Sequence, residues 1–427
     1  MRIKIKYGDK SVKFESDSKV IKFAKINEPE RTISTSKLHL IINSSLNRIL
    51  KRTKLYKPKT ASIVVPDKTR PIVNQKILSL IINFLKENGT REIFLIIAYG
   101  NHKSHPVKLL KLKKYILKNV SVIHHNSELK NELAMVHGGD LRSRETFRNF
   151  LRKETRQYKS SSLSYIEPSH LKKLSKEFLK RTAKGIFINK TFVNSDLKIV
   201  LSDIKPHQIF GYSGGSKMIL PGLSDSNTII ANHIMRFHPN SKLGNIHGNL
   251  PRGESIEIAS KIKNLIYINV ITYYGKKIAA LSVSREPKDY EKIIVSAKKL
   301  FERRLGKFKT VISVGLNPIN LNLYQLTKAV TPAAISLRKG GKIIIIADVK
   351  EGTENLEAIN ERIYKLTIKR DLPGSREKIY LLSNLNPRIV RKTFMIPIDK
   401  RKFFEMAKNE KESLLIIPDG DLFVPVV

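Results

Sequence analysis

The chain has 427 residues and a formal net charge of +43, with 80 Lys and Arg against 37 Asp and Glu. Hydrophobic residues make up 41%, enough for packed cores, which excludes wholesale disorder. No cysteine is present, so disulfides, thiolate metal sites, iron–sulfur clusters and Cys nucleophiles are all excluded.

The first residues, MRIKIKYGDKSVKF, alternate apolar and charged side chains like an amphipathic strand and lack the apolar core of a signal peptide. No run approaches the roughly 18 apolar residues of a membrane span, so a cytoplasmic protein is expected. From about residue 60 the pattern changes. ASIVVPD reads as a strand running into a loop, and NQKILSLIINFLKENGT as a helix closed by Gly89. REIFLIIAYGNH and NVSVIHHN read as further strands. This β-α-β rhythm predicts a parallel sheet with helices on its faces, whose chemistry sits in loops at the carboxyl ends of strands. DKTR, YGNH and HHN fall at those ends.

Residues 140–184 interrupt the rhythm with a strongly basic stretch: two predicted helices joined by a Ser-rich hinge, KSSSLS. Such a pair is either a solvated excursion or a lid over the site. SDLKIVLSDI is then a strand leading into PHQIFGYSGGSKMILPG, and NLIYINVITYYGKKIAALSVS two adjacent strands with a turn near Gly275. A second α/β unit is expected from residue 285: the helix DYEKIIVSAKKLFERRL, the strand KTVISVGLNP, a helix over 323–337, the run KIIIIAD and a final strand SLLIIPDG. The expected architecture is therefore two mostly parallel α/β domains, 1–284 and 285–427, with the active site in the cleft between them.

The segment 207–222 is the densest in chemistry. His207 lies where a loop leaves a strand, and the glycines of GYSGGSK let backbone approach a ligand and offer N–H groups to an anion. A nucleotide-binding P-loop is ruled out, because Ser216 precedes Lys217 and Met218 follows it. A lysine in such a loop can instead anchor a cofactor covalently. Sixteen residues on, ANHIMRFH places His233 in a helix.

Taken together, PHQIFGYSGGSKMILPG followed by ANH, with VVPDKTRP, AYGNH and GLNPINLNLYQLTKA in that order, resembles the lactate racemase family. The resemblance covers about residues 1–138 and 185–427. It implies an isomerase that inverts the hydroxyl-bearing carbon of a small 2-hydroxy acid, lactate-like or a sugar acid. It implies a nickel-pincer pyridinium nucleotide attached covalently through Lys217, with His233 as the metal ligand. His102 and His207 match the family's acid–base pair. Asp67, Lys68, Thr69 and Arg70 match cofactor contacts, as do Gln325 and Lys328. Arg70, Tyr324 and Lys328 match substrate contacts. Enzymes that build the cofactor are implied partners.

The chemistry is consistent with these roles. A 2-hydroxy carboxylate has a very weakly acidic C–H, because the carboxylate disfavours a carbanion. Moving the hydrogen as hydride, with loss of the hydroxyl proton, avoids that carbanion, and a pyridinium ring is a competent acceptor. An imidazole with an unperturbed pKa of about 6.5 suits the proton transfer. Here Lys103 follows His102 where the family usually has Arg, which leaves the particular hydroxy acid open. A pincer-dependent dehydratase or dehydrogenase is the alternative within enzymes. The net charge also admits a nucleic-acid-binding protein on a degenerate enzyme fold, although basic residues spread over the whole chain bind nucleic acid only nonspecifically.

Overall fold

The computed structural model describes residues 1–55, 57–69, 74–158, 162–274, 277–353, 355–374 and 376–426. Arg70, Gly275 and part of the Ser-rich hinge lie outside the described residues.

Two six-stranded sheets organise the chain. In the first, the strands lie in the order Lys277–Ser284, Leu265–Tyr273, Leu197–Asp203, Thr60–Pro66, Glu92–Ala98 and Ser121–His124. All pair in parallel except the edge strand Lys277–Ser284. The central strands are continuous apolar runs because both faces are covered. Helices Thr35–Thr53 and Gln75–Glu87 bury one face through Leu46, Ile81 and Leu85. Ile219, Leu223 and Ile258 bury the other.

The second sheet is parallel throughout, in the order Ile396–Ile398, Lys378–Ser383, Leu337–Ala347, Phe308–Gly315, Ser413–Ile417 and Val20–Phe23. Its last strand comes from the beginning of the chain. Val20–Phe23 adds to Ser413–Ile417, and the hairpin Arg2–Tyr7 with Lys10–Glu15 packs on the same sheet. The reason is one-sidedness. Ile3, Ile5, Val12 and Phe14 form a single apolar face, and Ile312, Val314, Ile344 and Ile346 offer the matching surface. SLLIIPDG is not the last strand of the chain, since Val424–Pro425 pairs with Glu302–Arg303.

The helix expected over 323–337 is divided into Leu323–Leu326, a 3-10 turn Thr327–Ala329 and Val330–Ile335. Pro332 has no N–H to continue an α-helical ladder through this region. The strand then begins at Leu337.

The basic excursion forms helices Arg142–Arg156 and Pro168–Thr182, but they are not a solvated pair. Phe147, Leu151, Leu171, Leu174 and Phe178 are buried against Ala231, Ile234, Met235 and Phe237 of the segment that carries His233. At about 1.5–3 kcal/mol for each buried large apolar side chain, this contact fixes the excursion as a layer of the fold. Among the described residues, no helix is long and apolar enough to cross a membrane.

Candidate active site

A cavity of about 320 Å³ opens at the carboxyl ends of the first sheet's strands, where parallel sheets expose unpaired loop backbone and place ligands. His102, His207, Lys217 and His233 line it from the first sheet's connections, and Tyr324, Gln325 and Lys328 from the second's. Of the expected site residues, these and Asp67 converge on one cavity.

His102 leaves the strand Glu92–Ala98 in a turn closed by its own N–H to the Tyr99 carbonyl at 3.0 Å. Its Nδ1 stands 2.7 Å from Oδ2 of Asp67, a carboxylate only 4% exposed. The other oxygen of Asp67 accepts the Thr69 N–H at 3.2 Å and the Thr69 hydroxyl at 2.7 Å. A carboxylate at Nδ1 places the neutral ring's proton there and directs the Nε2 lone pair away from it.

His207 is held in the opposite sense. Its Nδ1 accepts the N–H groups of Ile209 and Phe210, both at 3.2 Å, so the neutral ring carries its proton on Nε2. Phe210 meets the ring edge-on, with centroids 5.5 Å apart. The two imidazoles are therefore not equivalent: one presents an acceptor and the other a donor.

Lys217 rides on the turn Gly215–Met218, with Nζ 5.3 Å from the centre of the Phe210 ring. Gly215 N–H is committed to Ser202 Oγ at 3.2 Å and Asn269 Oδ1 at 3.0 Å. That commitment withdraws the Gly215 N–H from any anion the loop would hold. Buried Arg252 secures the loop through the Phe210 carbonyl at 2.9 Å, the Tyr212 carbonyl and a stacking contact 4.3 Å from the Tyr290 ring centre. Gly211 has φ +74°, and a Cβ there would strike the Asn245 backbone. Gly211→Ala is expected to lower stability by about 1–3 kcal/mol in urea unfolding. Gly306→Ala, at φ +85° with open space around it, should cost the smaller part of that range; equal losses would refute the steric argument.

His233 sits in helix Ser226–Ile234, whose N-terminus is capped by Asp225. Its Nδ1 donates to the Ile229 carbonyl at 2.9 Å, so a metal held by this ring would bind through Nε2. Burial, then the Arg236 and Lys217 charges, holds this imidazole well below its ordinary pKa, so it is neutral as a metal ligand must be.

Two expected cofactor contacts do not line this cavity. Lys68 Nζ is 2.8 Å from Glu351, bridging to the second sheet's loops, and does not line the cavity. Thr69 bonds Asp67 and lines a smaller adjoining pocket. In the second unit, Lys328 Nζ bonds Gln325 Oε1, whose backbone N–H is in turn capped by Asn322 at 2.8 Å. His105, His124, His125, His238 and His247 lie outside the cavity lining. Sequence reasoning missed Gln208, Glu177 and Arg236, all of which line the cavity. Arg236 lies three residues beyond His233, a spacing that is legible only once the helix is known to face the site.

A family model described as the lactate racemase N-terminal domain matches residues 7–147 and 165–244, just over half of the chain. The match takes in helix Pro168–Thr182 and the start of helix Arg142–Arg156, so that part of the excursion has a family counterpart that the motifs alone did not show. The lactate racemase of Thermoanaerobacterium thermosaccharolyticum is 24% identical over 394 residues, 85% of this chain and 83% of that protein. That of Lactiplantibacillus plantarum is 31% identical over 173 residues, covering 39% of this chain and 40% of that protein. The apoprotein structure of the Thermoanaerobacterium thermosaccharolyticum enzyme superposes with a TM-score of 0.76 at 20% identity, covering all of both chains. A Thermotoga maritima protein superposes with a TM-score of 0.68 at 16% identity, covering 94% of this chain and all of that one. The chain belongs to the lactate racemase family of isomerases.

Proposed function

We propose that the protein racemises or epimerises a small 2-hydroxy acid at its hydroxyl-bearing carbon, using a nickel-pincer nucleotide tethered to Lys217. The observation that carries this reading is the convergence of His102, His207, Lys217 and His233 on one cavity, from segments up to 131 residues apart in sequence. The side chains present fit such a cofactor. His233 is neutral with Nε2 directed away from its helix bond, and the Lys217 amine lies on the cavity wall. Among the described residues, no group of three His, Asp or Glu side chains stands together as a metal site, so a metal at His233 takes its remaining donors from elsewhere.

When bound, the cofactor supplies a site that takes a hydride from the substrate carbon and returns it. His102 accepts the hydroxyl proton at Nε2, and Asp67 stabilises the resulting imidazolium. His207 donates from Nε2 to a substrate oxygen on its side of the cavity. Lys328, with Tyr324 beside it, provides positive charge for the substrate carboxylate. In this reading the second unit closes the site formed by the first, the division falls near residue 285 with the N-terminal hairpin and strand Val20–Phe23 added to the second unit, and the protein works inside the cell, where cofactor-building enzymes load it.

The test is intact-mass and metal analysis of the full chain co-expressed with cofactor-synthesis enzymes, followed by a chiral assay on lactate and other 2-hydroxy acids. The expected result is an adduct on Lys217, bound nickel and scrambling of one enantiomer. Lys217→Arg should lose the adduct and reduce turnover to background. A wild-type chain with neither adduct nor nickel defeats the proposal.

A further inference from the structure

Arg236 is a buried guanidinium, 4% exposed, on the cavity wall. Its Nε donates to the His233 carbonyl at 3.1 Å and its Nη1 to the Arg362 carbonyl at 3.2 Å, and the group also bonds the Tyr324 side chain. None of the ion pairs among the described residues includes it. The two carboxylates lining the cavity are engaged elsewhere: Asp67 with His102 at 2.7 Å and Glu177 with Arg181 at 3.0 Å. A charge removed from water without a counter-charge is costly, and neutral carbonyls compensate only part of that cost. A bound anion supplies the rest.

The cationic lining falls into two groups. Lys217 and Lys328 border both the cavity and the adjoining small pocket, on the His207 side. Arg236 and Arg362 border only the cavity, on the wall built from helix Pro168–Thr182 and the π-helical segment Ala358–Ile368. One carboxylate beside Lys328 leaves the second group facing the rest of the substrate. A methyl group there would leave the guanidinium uncompensated; a second carboxylate would accept from it in a charge-assisted bond.

We propose that Arg236 is the receptor for a second anionic group, so that the preferred substrate is a 2-hydroxy dicarboxylate and not lactate. This rests on the reading of the cavity as the racemase site. Isothermal titration calorimetry on the full chain, before and after cofactor loading, compares malate with lactate as probes. Wild type is expected to bind malate at least tenfold more tightly, the discrimination a site built around a buried polar group imposes on an analogue lacking its partner. Arg236→Met should bring malate down to the affinity for lactate, while lactate changes less than threefold. Arg236→Lys, which keeps the charge, should retain part of the gap and serves if the Met variant does not fold. Equal binding of malate and lactate by wild type overturns the proposal. So does an equal loss of both in Arg236→Met, since Arg236 would then hold the carboxylate they share. Failure of the racemase reading appears separately, as a missing Lys217 adduct, and leaves the calorimetric comparison standing.

Discussion

Asp67→Asn is expected to lower turnover by about 10³–10⁴-fold while leaving the fold intact, the scale seen when a buried carboxylate that sets a catalytic imidazole's tautomer becomes an amide. The carboxylate is 2.7 Å from His102 Nδ1 and is itself fixed by two bonds from Thr69. An amide in its place can donate to Nδ1, which moves the ring proton to Nε2 and removes the acceptor that faces the substrate. It also removes the negative charge that stabilises the imidazolium. Steady-state rates across pH, with circular dichroism to confirm folding, give the comparison. A purely structural Asp67 would leave the pH profile unmoved and turnover within tenfold of wild type, and that result would exclude the positioning role.

Arg144→Met should destabilise the protein by about 3–5 kcal/mol, because it strands a buried charge. Arg144 and Glu254 are 1% and 0% exposed and lie 2.5 Å apart, tying the helical excursion to helix Leu250–Ala259. The second oxygen of Glu254 accepts from Asn232 at 2.8 Å, one residue before His233. Burial raises the Glu254 carboxyl above its ordinary pKa against the pull of Arg144 and Asn232, so removing the guanidinium leaves the desolvation opposed by the Asn232 hydrogen bond without a counter-charge. Urea unfolding measures the loss. The double variant Arg144→Met with Glu254→Leu should recover a large part of it, since an apolar pair of similar volume carries no desolvation penalty. A single-variant loss under about 1 kcal/mol would contradict the argument.

Much of this was legible in the linear chain. The runs ASIVVPD, REIFLIIAYGNH and SDLKIVLSDI announced buried parallel strands, and His102 and His207 stood in the loops following two of them, where such sheets expose chemistry. The order of the short motifs carried the family. Local periodicity also gave both helices of the basic excursion, although its packing partners were not visible.

What only the folded chain decided is which distant groups meet. Asp67 and His102 are 35 residues apart, Arg144 and Glu254 110, and the hairpin at the N-terminus finds its apolar partner surface beyond residue 310. Lys68 turned to Glu351 and away from the cavity, and Arg236 turned into it without a carboxylate. Backbone propensity and hydrophobic period act over a turn or a strand, so sequence encodes them directly. The pairing of charges, and with it the tautomer of each histidine, depends on side chains brought together by packing, a property that no stretch of neighbouring residues contains.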